Sequence, residues 1–524
     1  MILTKQTGKL VFVLSALSVF LFSCKGVTRN NSHLDVPYAN IEKGQTLAAT
    51  YCQSCHMLPD PSLLDAKNWE NGVLPAMGPR LGIFNYKMKE YPSYRHDLEL
   101  PKNFYPGKPM LSDQDWQYII DYYSSLSPDS LNAPKRDKEI VPNANLFRVE
   151  EVYLPKGVVP TTCLVKIDTT VLPHQLLAGD MLTDHILRFD NHYKLLDSFR
   201  NVSPVVDVEL HNHEFLACNI GIMNPNNGRY GTTRKIVIDA NGKMHEDSLL
   251  KFEQLARPVQ ISSADINRDG KMDYLVCEFG HQVGYLSWME NKGSNRFERH
   301  VIRPFPGAIK AYISDVNKDG LPDLWVLFTQ GEEGVFLFTN KGNGQFDQKQ
   351  VLRFQPINGS SYFEFDDFNK DGFPDILYTC GDNADYSPAL KPYHGVYIFL
   401  NDGKNNFQQK YFFPMYGCFK AMARDFDGDG DLDIVAISFF ADYINHADQS
   451  VVYLDNDGKL DFKPYSIPNT ASGRWLTMDA GDIDGDGKAD LILGNFSVAP
   501  ASELPKINWK EGPAFVVLKN IIRK

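Results

Sequence analysis

Asp425-Phe-Asp-Gly-Asp-Gly-Asp-Leu-Asp433 runs straight into Ile434-Val-Ala-Ile-Ser438, an acidic loop followed by an apolar, β-branched strand. Four more stretches share this form: Asp265-Ile-Asn-Arg-Asp-Gly-Lys-Met-Asp273, Asp315-Val-Asn-Lys-Asp-Gly-Leu-Pro-Asp323, Asp367-Phe-Asn-Lys-Asp-Gly-Phe-Pro-Asp375 and Asp482-Ile-Asp-Gly-Asp-Gly-Lys-Ala-Asp490. In chain order their first residues lie 50, 52, 58 and 57 positions apart. A period of this length marks a repeat architecture in which each repeat is one supersecondary unit and stacking buries the core.

Each loop offers side-chain oxygens at positions 1, 3, 5 and 9, a glycine at 6 for the sharp turn and a backbone carbonyl near 7. That is the hard-oxygen set that suits Ca²⁺. The candidate ligands are Asp265, Asn267, Asp269 and Asp273; Asp315, Asn317, Asp319 and Asp323; Asp367, Asn369, Asp371 and Asp375; Asp425, Asp427, Asp429 and Asp433; and Asp482, Asp484, Asp486 and Asp490. Up to five Ca²⁺ are expected, because the 18 aspartates of these loops would repel one another without a cation. An EF-hand needs a bidentate Glu at position 12 and flanking helices. Here position 12 is Val276, Val326, Tyr378, Ala436 or Leu493, each inside a strand-like run, so EF-hands are excluded.

The loops resemble the FG-GAP and VCBS repeats of calcium-binding β-propellers, the architecture of integrin α-subunit heads, over residues 255–524. The Gly-Ala-Pro that usually follows the second strand is replaced here, for example by Cys277-Glu-Phe-Gly280 and Gly494-Asn-Phe-Ser497. The resemblance implies an all-β propeller over residues 146–524. The five marked repeats leave residues 150–255 for two more, and Leu176–Asp190 reads as a repeat without its loop, so seven blades fit best. Six and eight stay open.

Upstream, Gly44-Gln-Thr-Leu-Ala-Ala-Thr-Tyr-Cys52-Gln-Ser-Cys55-His56 contains Cys-x-x-Cys-His, the attachment pattern of c-type haem. Two thiols three positions apart reach the two vinyl groups of one porphyrin, and the adjacent His56 meets the iron. Zinc and a redox disulfide are the rivals for a bare Cys-x-x-Cys. The run Tyr105-Pro-Gly-Lys-Pro-Met110 precedes a helix signalled by Ser112 as N-cap, Asp113 and Asp115 in the first turn, and Trp116, Ile119, Ile120 and Tyr123 on one face. This layout is similar to that of class I monohaem cytochromes c and implies a small all-α domain over residues 41–130 with one covalent haem c. The resemblance makes Met110 the second axial ligand, with Met77 next and His96 as a bis-histidine alternative. The charged, proline-bearing stretch 131–145 reads as a linker.

At the start of the chain, Lys5 and Lys9 precede an apolar run, Leu10–Phe22, of 13 residues, too short to cross a membrane. Residues 1–23 read as a secretory signal resembling that of bacterial lipoproteins, which implies a lipidated Cys24, a polar tether over 24–40 and a place in the cell envelope on the periplasmic face or the cell surface, with the outer membrane favoured. Cys163, Cys218, Cys277, Cys380 and Cys418 remain, an odd number that reads as buried free thiols.

With 53 basic and 65 acidic side chains the 524-residue chain carries a formal charge of −12, which excludes a nucleic-acid binder acting through general basicity. If the acidic loops share one face of the propeller, the opposite face gathers Arg257, Glu278, His281, Gln330, Asp382, Asn383, Asp385, Asp442 and Asn495 with Lys310, Lys420 and Arg474 around the central channel. Such a mixture suits a redox partner protein or a polar small molecule. Neither a Gly-x-Ser-x-Gly elbow nor a Walker A loop occurs. The reading favoured is a membrane-tethered electron-transfer protein whose propeller binds a partner or ligand. The alternative, resembling quinohaemoproteins, is a dehydrogenase that oxidises a polar substrate on the propeller and passes electrons to the haem.

Overall fold

Strand-forming apolar runs broken at Gly, Asn and Asp turns build seven four-stranded antiparallel sheets, each a blade, in the computed structural model, which describes residues 35–142, 145–384, 387–498 and 507–522. The expected signal segment, Cys24 and most of the tether lie outside the described residues, as does Asp385. Blades 1 and 2 start at Thr162–Asp168 and Val205–His211, and blades 3 to 6 at Pro258–Ala264, Ala308–Ser314, Ser360–Asp366 and Cys418–Arg424. Blade 7 begins at Trp475–Gly481, and its outermost strand is Phe147–Val152, paired antiparallel with Phe515–Asn520. Closing the ring with a strand from the start of the domain ties first and last blades together and leaves no open circle of edges.

The second strand of each blade is covered on both faces by neighbouring blades, which explains its unbroken apolar pattern: all six residues of Asp323–Phe328 are buried. The fourth strand borders solvent, and in Phe346–Arg353 only Leu352 is buried. First strands face the central channel and stitch neighbouring blades together through side chains. Glu209 accepts from Ser263 N at 2.8 Å, Gln260 from Ala311 N at 2.5 Å, Glu364 from Ala423 N at 2.6 Å and Asp479 from Ile167 N at 2.9 Å. Tyr312 Oη donates to Phe363 O at 3.2 Å and Lys420 Nζ to Met478 O at 2.7 Å. Each of these polar groups thus also satisfies a backbone group of the next blade.

Residues 38–126 pack a separate apolar cluster between two helices, α1 (Tyr38–Tyr51) and α2 (Asp113–Leu126). The cap and face read for α2 are present: Ser112 Oγ accepts from Asp115 N at 3.1 Å, and Trp116, Ile119 and Tyr123 are buried. The helices cross closely at Gly44, where a Cβ would fall 1.9 Å from Tyr118 O. Three expectations need adjustment. The segment is not wholly helical, since Asn85–Tyr86 pairs with Lys89–Glu90 in a short hairpin. Helix α1 begins at Tyr38, inside the stretch read as tether. The linker is docked: Val141 bridges Tyr465, Arg136 Nε donates to Pro414 O at 3.1 Å, and Ile140 packs beside the core of blades 5 and 6.

Candidate functional site

All five acidic loops join first to second strands, in blades 3 to 7, and so lie on one face. The corresponding joints of blades 1 and 2 are only residues 169–174 and 212–213. Position 9 is the keystone of each loop. Asp323 is fully buried, one carboxylate oxygen accepting from Val316 N at 3.0 Å and the other from Asn340 N at 2.8 Å. Asp273, Asp375, Asp433 and Asp490 repeat this pair of bonds. The partner asparagines, Asn291, Asn340, Asn401 and Asn520 at the ends of the third strands and Asn456 just after that of blade 6, return their Nδ2 to the carbonyl of position 8 at 3.0–3.3 Å. Sequence reading missed these asparagines. They follow position 9 by 18, 17, 26, 23 and 30 residues, an interval blurred by the varying loop between second and third strands. An Asn-x-Gly in four of the five was the available signal.

Positions 1, 3 and 5 form the exposed cup. Its charge differs from blade to blade. Asp425, Asp427 and Asp429 in blade 6, and Asp482, Asp484 and Asp486 in blade 7, bring three carboxylates within 4.8 Å of one another. In blade 7, Lys488 and Lys519 pair with Asp486 and Asp484. In blades 4 and 5 position 3 is an asparagine whose Nδ2 donates to Asp319 or Asp371 at 2.8 Å, and in blade 3 Lys271 pairs with Asp269 at 2.7 Å. Blade 6 is the most strained electrostatically. Burial, then repulsion from Asp429 and Asp427, pushes Asp431 up to about 6, and burial with the nearby Asp427 pushes Asp433 up to about 7.

On the opposite face the expected convergence of charges divides. Four of the residues read as ligand-facing, Glu278, Arg474, Arg257 and Asn495, are internal. Glu278 is fully buried, accepting from Ala256 N at 2.8 Å and Ser287 Oγ at 2.6 Å and pairing with Arg299 at 2.5 Å. Arg474 donates Nε to Phe439 O at 3.0 Å and stacks over the Phe439 ring at 3.9 Å. Arg257 donates to Gly280 O at 2.6 Å and Met223 O at 2.8 Å. Asn495 Nδ2 donates to Pro513 O at 2.8 Å. Lys310 and Lys420 lie in the channel wall, where burial, against the pull of Asp479, lowers Lys420 to about 8, helped by Lys166 and Lys310. Gln330 and Asp442 stay in the second-to-third-strand connections of blades 4 and 6. Asp382 accepts from Ala384 N at 2.9 Å, and Asn383 Nδ2 donates to Ala389 O at 2.6 Å. Burial raises the Asp382 carboxyl against the attraction of Lys391 and Arg257.

The helical segment sits on this same face. His281 Nε2 meets Tyr94 Oη at 2.8 Å, Asn227 Nδ2 donates to Asp97 at 2.7 Å, Arg80 donates to Gln282 Oε1, and Tyr393 Oη donates to Leu63 O at 3.1 Å. Ile357, between blades 4 and 5, packs against the helical core. Behind this contact, burial with help from Lys391 pushes His394 well below its usual range, and burial pushes Glu333 up to about 8.

Within the segment, Cys52 caps the C-terminus of α1 and both Cys52 and Cys55 are free thiols. Burial, then the charge of Cys55, pushes Cys52 up to about 11. His56 Nδ1 lies 2.8 Å from Met57 O, and since a carbonyl only accepts, Nδ1 carries the proton and Nε2 the lone pair. Met110 is tied through its N–H to Leu81 O at 2.9 Å while the residue is 52% exposed. Its neighbour Leu111 is buried in the helical core, and Met77 packs against that core. His96 is exposed and its Nε2 accepts from Arg95 at 3.1 Å.

Comparison with known proteins bears on the propeller. Residues 265–326, 315–378 and 425–493 match the FG-GAP-like repeat family. A T-cell immunomodulatory protein homolog of Plasmodium falciparum (isolate 3D7) is 30% identical over 216 residues, covering 37% of this chain; the chain spans 29% of that relative's length. Among solved structures, virginiamycin B lyase from Staphylococcus aureus has a TM-score of 0.44 at 11% identity over 72% of this chain and 100% of its own. Sqt1 of Saccharomyces cerevisiae has a TM-score of 0.38 at 12% identity over 67% of this chain and 81% of its own. The chain therefore carries FG-GAP-like repeats on a seven-bladed β-propeller.

Proposed function

We propose that the protein is an extracytoplasmic electron carrier in which residues 38–126 hold one covalent haem c and the propeller serves as its calcium-dependent mount and partner-binding module. The observation that carries this reading is the donor set at the end of α1: two free thiols three positions apart, followed by a histidine whose Nδ1 is pinned to a backbone carbonyl so that Nε2 keeps its lone pair. Cys52 and Cys55 would hold the group by thioethers and His56 Nε2 would ligate its iron. When bound, a c-type haem supplies reversible one-electron exchange. Met110 suits the second axial position because its side chain is not used in the core, whereas Met77 packs there. Ca²⁺ at the loops, lipidation at Cys24 and a place in the cell envelope complete the proposal.

The dehydrogenase alternative has less support. Glu278 and Arg474, which it would recruit, are committed to internal bonds, and the face it would use carries the helical segment. Protein matured in cells that attach c-type haem should be red, with haem that survives acid-acetone extraction and is lost in Cys52→Ala/Cys55→Ala. Met110→Ala should remove the sulfur-to-iron near-infrared band and lower the potential; the same loss in Met77→Ala instead would transfer the ligand role. Haem reduction by a sugar or alcohol at catalytic rates, lost in Asp382→Ala, would restore the dehydrogenase.

A further inference from the structure

Beyond positions 1, 3, 5 and 9, two more side chains border each acidic loop: position 7 and the residue just ahead of the partner asparagine. Contacts in blades 3 and 7 fix where they reach. Lys271 and Lys488, at position 7, each place Nζ 2.7 Å from the position 5 carboxylate, that of Asp269 or Asp486. Glu290, ahead of Asn291, accepts from Asn267 Nδ2 at 3.0 Å, and Lys519, ahead of Asn520, pairs with Asp484, so both meet position 3. Blades 6 and 7 fill these two places with opposite charge: Asp431 and Asp455 in blade 6, Lys488 and Lys519 in blade 7. In blade 6 the two aspartates add to a loop that already crowds Asp425, Asp427 and Asp429. Asp431 is 8% exposed, and its Oδ1 has no hydrogen-bond partner among the described residues, a costly arrangement unless a cation faces it. Lys370 of the blade 5 loop comes close but directs its Nζ to Gly430 O at 2.9 Å. In blade 7, by contrast, Asp484 and Asp486 each already meet an ammonium group.

We propose that blade 7 carries its own cations: the ammonium groups of Lys519 and Lys488 stand where blade 6 takes Ca²⁺, so the blade that closes the ring folds without metal. This rests on the calcium reading of the loops given above. A metal could gather Asp484 and Asp486 only by displacing both lysines, and the affinity of an oxygen-ligand loop follows the charge of its ligands. The side chains of Lys519 and Asp484 are 27% and 23% exposed, so the pair is shielded from most of the solvent that would loosen it. Lys519 also lies on Phe515–Asn520, the strand to which Phe147–Val152 pairs to close the ring. Closure that waited on calcium would leave first and last blades apart whenever the cation was scarce.

The test uses the full chain, with bound Ca²⁺ per polypeptide read by equilibrium dialysis and strand protection read by amide exchange with and without chelator. Asp484→Asn should leave the wild-type count unchanged, whereas Asp427→Asn should lower it by one. In the wild type, Asp490–Asn495 of blade 7 should keep its protection in chelator while Asp433–Ser438 of blade 6 loses part of its own. Lys488→Met/Lys519→Met should raise the count by one and make protection of Asp490–Asn495 depend on Ca²⁺. An unchanged count in the folded double variant would overturn the inference; if that variant does not fold, Asp484→Asn and the wild-type exchange decide. Loss of one Ca²⁺ in Asp484→Asn would overturn the inference and leave the calcium reading standing. Wild-type protein that binds no Ca²⁺ would overturn both.

Discussion

The two ends of the blades are built on different principles. At the loop end, blades 3 to 7 repeat one arrangement: a buried position 9 aspartate bound to two backbone N–H groups, with an asparagine closing the turn. At the other end, blades 2, 3, 4 and 5 each meet the helical segment through a different residue, Asn227, His281, Ile357 or Tyr393. Repetition marks a requirement imposed by the blade itself. Divergence marks a surface shaped by what sits on it.

The sharpest way to break this contrast is within one loop. Asp323→Ala leaves two buried N–H groups without acceptors, at about 1–3 kcal/mol each, so a loss of roughly 3–5 kcal/mol is expected in denaturant titration. Asp319→Ala, at the exposed cup of the same loop, should cost under about 1 kcal/mol in chelator. Equal losses at the two positions would mean that position 9 is not the keystone. The next largest effect is metal removal. A cation held at 100 times its Kd stabilises by about 2.7 kcal/mol, so chelator should lower Tm without disturbing the helical segment. Asp427→Ala should abolish more of that shift than Asn317→Ala, because blade 6 crowds its carboxylates most. An identical response to chelator in both variants would remove the ranking.

How much of this was legible follows from the same contrast. The loops were readable because turn chemistry and ligand chemistry fall within nine residues; they marked five blades, and the chain length left over favoured seven while six and eight stayed open until the sheets were seen. The role of position 9 was half visible: the aspartate stood out, while its asparagine partner lies a variable loop away. At the other end sequence reading misplaced Glu278, Arg257 and Arg474. A charged residue beside a strand end looks solvated until a neighbouring blade brings Arg299 or the Phe439 ring to it. Nothing local in Ile357 or Tyr393 signals that another segment of the chain packs on them, because such contacts span about 330 residues.

The contact end should give way in smaller steps. Tyr393→Phe deletes one hydrogen bond to Leu63 O and should cost about 1 kcal/mol, seen as faster amide exchange in residues 61–66 with the blades still protected. Simultaneous loss of protection in blade 5 would show that Tyr393 serves the propeller instead.

The smallest expected effect is a pH dependence at His281. Burial lowers its pKa to about 4, with Arg257 and Arg80 adding repulsion and Asp97 opposing them. A free histidine titrates near 6.5, so between about 6.5 and 4 the released or unfolded segment binds more protons than the docked one. Docking is then fully supported above 6.5, weakens as pH falls through that window, and levels off below 4. Because the imidazole also meets Tyr94 Oη at 2.8 Å, its protonation forces it to give up accepting that hydroxyl or to reverse the bond. Limited proteolysis of the helical segment against pH should show cleavage rising between 6.5 and 4, with the rise flattened in His281→Gln. Asn227→Ala should weaken docking equally at every pH, since neither Asn227 nor the variant titrates. A slope that survives in His281→Gln would assign the proton to another group at this contact and leave the loop end of the blades unaffected.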